Sequence, residues 1–592
     1  MPRMKKLPLP RLWLLLVPIA FSLVFLNPFP AFVAQRTRPL NTPPPQSARK
    51  PRLILLIAVD QFRYDYLERF GDLFGSTGLK RLLRNGASWE QAHYDHTPTY
   101  TAPGHATMMT GAVPSATGII GNEWIDRATG RRVTSVSDGT VKILGGGPNE
   151  FGASPRRLLT STVGDELRFA TNDRSKVIGI SVKDRSAILP GGRHANAAYW
   201  FSVPSGSMVS STYYFNELPA WVTEFNRTRP ADKFFGAKWE RLLPESEYAA
   251  RAGADSPAWE NIGTVAGDSN AFPHTVTGGL KAPGPAFYNA LDYSPFSNDL
   301  LISFAEQAIA NELLGQDQYT DVLSVSFSAN DYVGHRFGPY SHEAMDMTLR
   351  VDRQIGILMN LVDAKVGLAN TIVVFTADHG VAPIPEHAAT LGLDGARLKG
   401  EDIISAVRTA FTATYNPKGA SPDPSADYIL KYDLGGTQRD SFINGNFYLN
   451  HAALKRDGVN LEDAARVAGE AALKVRGIAR YFTRGQLESG SLSTTGPLER
   501  RVLHGFHPSR SGDVVVLAEA YKYLSDTIPA THGTPYSYDT HVPVIIMAAG
   551  INPAKYYQPA SPADIAPTVS ALIGSTPPTN ATGRVLIEAL RR

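Results

Sequence analysis

The segment Pro51-Arg-Leu-Ile-Leu-Leu-Ile-Ala-Val-Asp60 is a continuous apolar run that ends in an acidic residue. Such runs are typical of strands that are buried on both faces, as in parallel sheets. Four further segments have the same character, and they cover residues 176–182, 322–327, 371–376 and 542–548. The sequence therefore predicts at least five buried strands.

Helical patterns separate some of these strands. Residues 79–84 end at Asn85-Gly86, a typical helix stop, and residues 342–366 carry apolar side chains at helical spacing. Strands that alternate with helices predict an α/β fold with a doubly wound, mostly parallel central sheet and helices on both faces. Two long stretches, about 191–295 and 383–507, do not fit this alternation, and we interpret them as cap insertions.

The composition excludes several classes of protein. Of the 592 residues, 43% are hydrophobic and 19% are charged, which is ordinary for a globular protein. The formal net charge is +3 and no long basic run occurs, so a nucleic-acid partner is not predicted. The chain has no cysteine, so any metal must be held by His, Asp and Glu, a ligand set that suits zinc.

The N-terminus resembles a targeting segment. Basic residues between Arg3 and Arg11 precede an apolar run over residues 12–26, as in a signal peptide. We predict a signal peptide or signal anchor over 1–34, a Pro-rich linker over 35–50, and export to the periplasm or the extracellular space. Cleavage is the favoured reading because a run of about 15 residues is short for a membrane span. An uncleaved anchor, which would tether the protein to a membrane, is the alternative.

Acidic residues and histidines occur where the predicted strands end. In open α/β sheets, ligands bind outside the carboxyl ends of the strands. Three Asp and three His at such positions match the oxygen and nitrogen ligands of two zinc ions, whereas each alone is unremarkable. Two adjacent cations can activate a nucleophile and stabilise the leaving group of a phosphate ester. The six residues are Asp60, Asp331, His335, Asp378, His379 and His541.

The segment from Thr97 to Gly111 supplies a candidate nucleophile. It is small, polar and interrupted by Gly and Pro, and it then becomes helix-like. Helix N-termini suit phosphate because their free N–H groups and their dipole point toward it. A threonine hydroxyl bound to zinc at this position would be ionised and nucleophilic.

Six short motifs occur in a fixed order along the chain. They are Thr99-Tyr-Thr-Ala-Pro-Gly-His-Ala106, Gly118-Ile-Ile-Gly-Asn-Glu-Trp124, Asp331-x-x-x-His335, Asp378-His-Gly380, Asp539-Thr-His-Val-Pro543 and Asp564-Ile-Ala-Pro-Thr568. Together they resemble the alkaline phosphatase superfamily, in the branch that contains the nucleotide pyrophosphatase/phosphodiesterases and the Thr-dependent, PafA-like alkaline phosphatases. The resemblance covers nearly all of residues 51–592 and implies an alkaline phosphatase-like catalytic domain over that range.

The resemblance assigns a role to each motif. It implies that Thr101 is the nucleophile, and that Thr101, Asp60, Asp378 and His379 hold one zinc. It implies that Asp331, His335 and His541 hold the second zinc. His532 is a rival to His541, which we prefer because Asp539-Thr-His-Val-Pro543 leads directly into a strand.

A further pattern concerns the substrate. Lys183-Asp-Arg185 resembles the Lys-x-Arg pair of the monoesterase branch, where these residues and the Asn of Gly-Asn-x-Trp, here Asn122, contact the phosphoryl oxygens. A monoester dianion carries more charge than a diester, so added cations favour it. Alternatively, Lys183 and Arg185 are surface charges.

The predicted function is zinc-dependent hydrolysis of phosphate monoesters through a phospho-threonine intermediate, with release of phosphate from small esters outside the cytoplasm. The alternative is a phosphodiesterase or nucleotide pyrophosphatase that uses the same two metals. Transfer of a phosphoryl-linked group between lipids and a catalytically silent binding protein are less favoured readings. The sequence leaves the natural substrate and the oligomeric state open.

Overall fold

The computed structural model describes residues 50–260, 268–525 and 528–591. A ten-stranded sheet forms the centre of the molecule. Its strands in chain order are β1 (Leu53–Val59), β2 (Ala87–Trp89), β3 (Ile143–Leu144), β4 (Val177–Ser181), β5 (Ala197–Ser202), β6 (Ser207–Ser211), β7 (Asp321–Phe327), β8 (Thr371–Thr376), β9 (Val544–Met547) and β10 (Ala554–Tyr556).

The strands follow the order β10-β2-β9-β8-β1-β7-β4-β5-β6-β3. The five strands from β8 to β5 are parallel, whereas β9 and β6 run antiparallel to their neighbours. Ala58 of β1 is aligned with both Ser326 of β7 and Thr376 of β8. The carboxyl ends of these three strands therefore lie side by side, and the prediction of a mostly parallel α/β sheet is confirmed.

Strand β1 explains why this sheet lacks the alternation of polar and apolar residues. Its odd-numbered side chains, such as Leu55 and Ile57, belong to the apolar cluster on one face of the sheet. Its even-numbered side chains, such as Ile54 and Leu56, belong to the cluster on the other face. Because burial of one such side chain contributes about 1.5–3 kcal/mol, both faces of β1 favour apolar residues.

Helices cover both faces of the sheet. Side chains of α8 and α10 join the first apolar cluster, and those of α2, α3 and α14 join the second. The predicted helices over 79–84 and 342–366 are confirmed as α1 and α10. Helices of seven or more residues are α1 (Leu79–Asn85), α2 (Thr101–Thr110), α3 (Val163–Ala170), α4 (Asp184–Gly191), α5 (Ala220–Arg227), α6 (Glu245–Ala252), α7 (Pro285–Asp292), α8 (Phe296–Asn311), α9 (Ala329–Phe337), α10 (His342–Lys365), α11 (Gly400–Tyr415), α12 (Leu461–Leu473), α13 (Pro497–Gly505) and α14 (Ile565–Ile573).

The stretches that we interpreted as insertions differ from that interpretation in two respects. Strands β5 and β6 lie inside the first stretch but extend the central sheet, because β5 pairs in parallel with β4. The second stretch has its own apolar cluster and four-stranded sheet. Its strand Val514–Ala518 lies beyond residue 507, the boundary that we expected, because Val514 and Val516 pack into that cluster.

The predicted targeting segment over 1–34 and most of the linker over 35–50 lie outside the described residues. Within the described ranges, no helix combines the length and the apolar character that a membrane span requires.

Candidate active site

Two groups of carboxylates and imidazoles meet at the carboxyl ends of β1, β7 and β8. We call Asp60, Asp378 and His379 the Asp60 cluster, and Asp331, His335 and His532 the Asp331 cluster. Within each cluster, one ligand atom from each residue lies within 4.8 Å of the other two. The rings of His379 and His532 stack with their centroids 3.5 Å apart, so the two clusters adjoin.

The Asp60 cluster has the donor set of a metal centre. Oδ1 of Asp60, Oδ2 of Asp378 and Nε2 of His379 are buried and have no hydrogen-bond partner among the described residues. Nε2 of His379 lies 3.4 Å from each of those carboxylate oxygens. Because unpaired buried polar atoms are costly, three that converge on one point fit a cation, and this donor set suits zinc.

The Asp331 cluster has a similar arrangement. Nε2 of His335 lies 3.2 Å, and Nε2 of His532 lies 3.7 Å, from Oδ1 of Asp331. The other ring nitrogen of each histidine contacts a backbone carbonyl, because Nδ1 of His335 is 2.6 Å from Ala530 O and Nδ1 of His532 is 2.7 Å from Thr99 O. Such contacts fix the ring orientation and the tautomer, as they do for metal-binding histidines.

Lys183 and Gln61 join the two clusters. Nζ of Lys183 lies 2.7 Å from Oδ2 of Asp60 and 2.5 Å from Oδ2 of Asp331, and its side chain is only 2% exposed. Gln61 donates from its backbone N–H to Asp378 and from Nε2 to Asp331. The alternative reading of Lys183 as a surface charge is therefore wrong.

Burial and neighbouring charges move the pKa values of the two bridged carboxylates in opposite directions. Burial, reinforced by the charge of Asp378, raises the pKa of Asp60 well above its usual value. Burial would also raise the pKa of Asp331, but His335 and Lys183 hold it well below its usual value. A cation beside Asp60 would replace the water that its charged form has lost.

The pKa values of His379 and His532 are lowered. Burial lowers the pKa of His379. Burial, followed by the nearby His379 and His335, lowers the pKa of His532 well below its usual value. Their imidazoles are therefore neutral at neutral pH, which is the form that binds a metal.

Helix α2 brings Thr101, its first residue, to the Asp60 cluster. A Cβ on Gly104 would lie 2.3 Å from the carbonyl oxygen of Asp378, so only glycine allows this close approach. Nδ1 of His105 lies 2.9 Å from Thr101 O and 3.2 Å from Oδ2 of Asp378. The first turn of α2 is therefore fixed against the strand end that carries Asp378.

Asn122 lies beside the N-terminus of α2, and Arg185 lies on a helix that packs against α2. Oδ1 of Asn122 accepts a hydrogen bond of 2.8 Å from the N–H of Ala102, which leaves Nδ2 without a partner in the described part of the chain. Helix α4, which packs against α2, begins directly after Lys183 and includes Arg185. Nε of Arg185 is buried and lacks a partner among the described residues. Both side chains retain donors for an anion.

His541 does not lie in the Asp331 cluster. Its backbone forms an antiparallel bridge with His93, and its ring stacks on Tyr64 at 4.3 Å and on His93 at 4.4 Å. Its Nε2 contacts the carbonyl of Glu90 at 3.0 Å. The structure therefore places His532 where we expected His541, because the bridge turns the His541 ring away from the site.

The motif that suggested His541 still contributes to the site through its first residue. Oδ2 of Asp539 accepts hydrogen bonds from the N–H and the hydroxyl of Thr534, and its carbonyl accepts one from Gly380 N. Asp539 thus connects the loop that carries His532 with the segment that follows His379. Asp539, Gln61 and His105 were not predicted as site residues, although Gln61 follows Asp60 and His105 lies in the motif around Thr101.

Comparisons with known proteins show the family of this chain. A model of the family described as type I phosphodiesterase/nucleotide pyrophosphatase matches residues 54–524. The chain belongs to this family. It is 35% identical over 547 residues to alkaline phosphatase PhoV of Synechococcus elongatus, with 92% of this chain and 94% of PhoV covered.

Two crystal structures of alkaline phosphatase PafA have the same fold as this phosphodiesterase-family protein. The wild-type structure has a TM-score of 0.83 at 32% identity, and a variant with four substitutions has a TM-score of 0.82 at 33% identity. Each alignment covers 92% of this chain and 99% of PafA. The protein is therefore a phosphoric ester hydrolase of the alkaline phosphatase superfamily, and its two ligand clusters indicate a metal-dependent enzyme.

Proposed function

We propose that this enzyme hydrolyses phosphate monoesters with two zinc ions and a threonine nucleophile. The observation that carries the proposal is the position of Lys183, buried between the two candidate metal clusters and two residues before Arg185. These two cations add charge for the dianionic phosphoryl group of a monoester, whereas a diester carries one charge less.

The Asp60 cluster would hold one zinc together with Thr101, and the Asp331 cluster would hold the other. In this assignment His532 takes the place of His541. The ions would supply charge that favours ionisation of the nucleophile and stabilises the leaving oxygen.

The reaction on this chain has two in-line steps. Thr101 Oγ1 loses its proton to water and attacks phosphorus, so that a bond from Oγ1 to phosphorus forms while the bond to the ester oxygen breaks. The departing ester oxygen takes up a proton from water and leaves as the alcohol. A second water then attacks phosphorus, the bond from phosphorus to Oγ1 breaks, Oγ1 regains a proton, and inorganic phosphate is released. Asn122, Lys183 and Arg185 donate hydrogen bonds to the phosphoryl oxygens, whose charge they stabilise in the transition state.

One comparison supports this choice of residues. The PafA variant carries substitutions at a threonine and an asparagine that are 21 positions apart, and at a lysine and an arginine that are two positions apart. Thr101 and Asn122 are 21 positions apart in this chain, and Lys183 and Arg185 are two apart.

A phosphodiesterase is the second candidate function, because the matching family is described as phosphodiesterase/nucleotide pyrophosphatase. The discriminating experiment measures kcat/KM for an aryl phosphate monoester and for the matching diester. It compares the wild type with Arg185→Ala and the double variant Lys183→Ala/Arg185→Ala. Arg193→Ala, which changes an exposed arginine after α4, is the matched control.

We expect the wild type to prefer the monoester by orders of magnitude, and both variants to lose most of that preference. Zinc content is measured in parallel, because Lys183 also contacts Asp60 and Asp331. A preference for the diester, or a preference that Arg185→Ala leaves unchanged, would support the phosphodiesterase instead.

We also propose that residues 1–34 direct export and that the enzyme acts in the periplasm or outside the cell. The basic residues followed by the apolar run over 12–26 support this proposal. N-terminal sequencing of the protein from fractionated cells tests it. A start near residue 35 in the exported fraction indicates cleavage, an intact N-terminus in the membrane fraction indicates an anchor, and intact cytoplasmic protein contradicts export.

A further inference from the structure

A cleft borders the Asp331 cluster on the side of the second insertion. It encloses about 580 Å³ of space, a figure that includes its open mouth. One wall comes from Pro98, Tyr100 and His532 beside the catalytic residues. The facing wall comes from the strand Val514–Ala518 and from residues 522–524.

The cleft adjoins both Thr101 and the Asp331 cluster. His532 lines the cleft and also belongs to that cluster. Tyr100 precedes Thr101, and its ring meets the His532 ring edge-on with the centroids 5.4 Å apart. The cleft therefore adjoins the Asp331 cluster, where the function proposed above places the leaving oxygen.

The lining carries no uncompensated positive charge. Lys522 is the cationic side chain among the described residues of the lining, and its Nζ lies 2.6 Å from carboxylate oxygens of both Asp394 and Glu519. Lys522 is therefore neutralised by two acids, and a second phosphate or carboxylate on the substrate would lose its hydration without gaining a partner.

The two side-chain amides in the lining each donate a hydrogen bond within the protein. Nδ2 of Asn444 donates to Glu123 O, and Nδ2 of Asn446 donates to Asn444 O, both at 3.1 Å. Most of the remaining lining is apolar or aromatic and includes Pro98, Leu517 and Leu524. Such a surface recognises flat, uncharged groups by burial and by edge-to-face contacts with Tyr100.

We propose that this cleft binds the leaving group of the ester, and that the enzyme prefers phosphate monoesters of uncharged aromatic alcohols. The proposal rests on the function proposed above, because the ester must place its leaving oxygen at the Asp331 cluster. The cleft would determine which alcohols are accepted as the leaving group, whereas Asn122, Lys183 and Arg185 would contact only the phosphoryl group.

The test compares benzyl phosphate with ethyl phosphate, because their alcohols have similar acidity and differ mainly in the aromatic ring. We expect kcat/KM of the zinc-loaded wild type to be at least 10-fold higher for benzyl phosphate, which corresponds to about 1.4 kcal/mol. Leu524→Asp, which places a charge in the cleft, should reduce this ratio at least fivefold. Leu391→Asp, which changes a leucine that is 56% exposed and does not line the cleft, should leave the ratio unchanged.

Tyr100→Ala is a second cleft variant, used if Leu524→Asp does not show a cooperative thermal transition. A wild-type ratio near one, or a ratio that a folded cleft variant retains, overturns the proposal even when both esters are hydrolysed. Failure of the wild type to hydrolyse either ester would instead contradict the phosphomonoesterase function.

Discussion

Two single variants, His532→Ala and His541→Ala, test which of these histidines binds a metal ion. The sequence does not distinguish between them. His532→Ala removes one of the three ligand atoms of the Asp331 cluster. Loss of an outer-shell partner alone typically weakens metal binding by about 10–100-fold, so loss of a ligand should exceed about 100-fold. We expect zinc content to fall from two ions per chain toward one, and kcat/KM for a phosphate monoester to fall by more than about 100-fold.

His541→Ala should instead act on stability. It removes two stacked ring contacts, each worth about 0.5–1.5 kcal/mol, and one hydrogen bond of similar value. The free energy of unfolding should therefore decrease by about 1.5–4.5 kcal/mol, while zinc content is retained. His93→Ala, which removes one of the two stacking partners, is the matched control and should also lower stability without loss of zinc.

The assay is metal analysis of dialysed protein by mass spectrometry, with urea denaturation of the same samples. If His541→Ala lost one zinc while His532→Ala retained both, the assignment of His532 from the structure would be refuted and the original preference for His541 would be restored.

Four other changes test separate parts of the structure. Asn122→Ala should lower kcat/KM for a monoester by about 10–100-fold, because a hydrogen bond to a charged group contributes about 1.5–3 kcal/mol; an unchanged value would exclude contact with substrate. Chelation should abolish activity and lower the melting temperature, because a bound ion stabilises the folded state. Added zinc should restore both, and activity that survives chelation would argue against metal dependence. Burial, reinforced by Glu343 and Asp255, raises the pKa of Glu260 to about 10, so the folded state favours the protonated carboxyl. The free energy of unfolding therefore falls as the pH rises from about 4.5 toward 10. Glu260→Gln should therefore raise the melting temperature more at pH 8 than at pH 5, and equal shifts would contradict that pKa. Ile57→Ala should cost about 2–5 kcal/mol in urea denaturation, and a cost below about 1 kcal/mol would be inconsistent with its full burial in β1.

The parallel strands of the sheet and most members of the two ligand clusters are predictable from the order of residues along the chain. The continuous apolar runs predicted β1, β7 and β8, because strands that are buried on both faces exclude polar side chains. Parallel strands end at one edge, so Asp60, Asp331 and Asp378 were expected together from chain position alone. The structure brings them together in this way.

The choice between His532 and His541 depends on contacts with residues that are distant in sequence. His532 and His541 both precede β9, and their order along the chain does not fix where their rings point. The bridge to His93 turns the His541 ring toward Tyr64, whereas the contact with Thr99 O directs His532 toward Asp331. These contacts join residues more than 400 positions apart in sequence. Periodicity and motif spacing report local geometry only. Contacts between residues far apart in sequence, and the cleft between His532 and the second insertion, therefore form only when the chain folds.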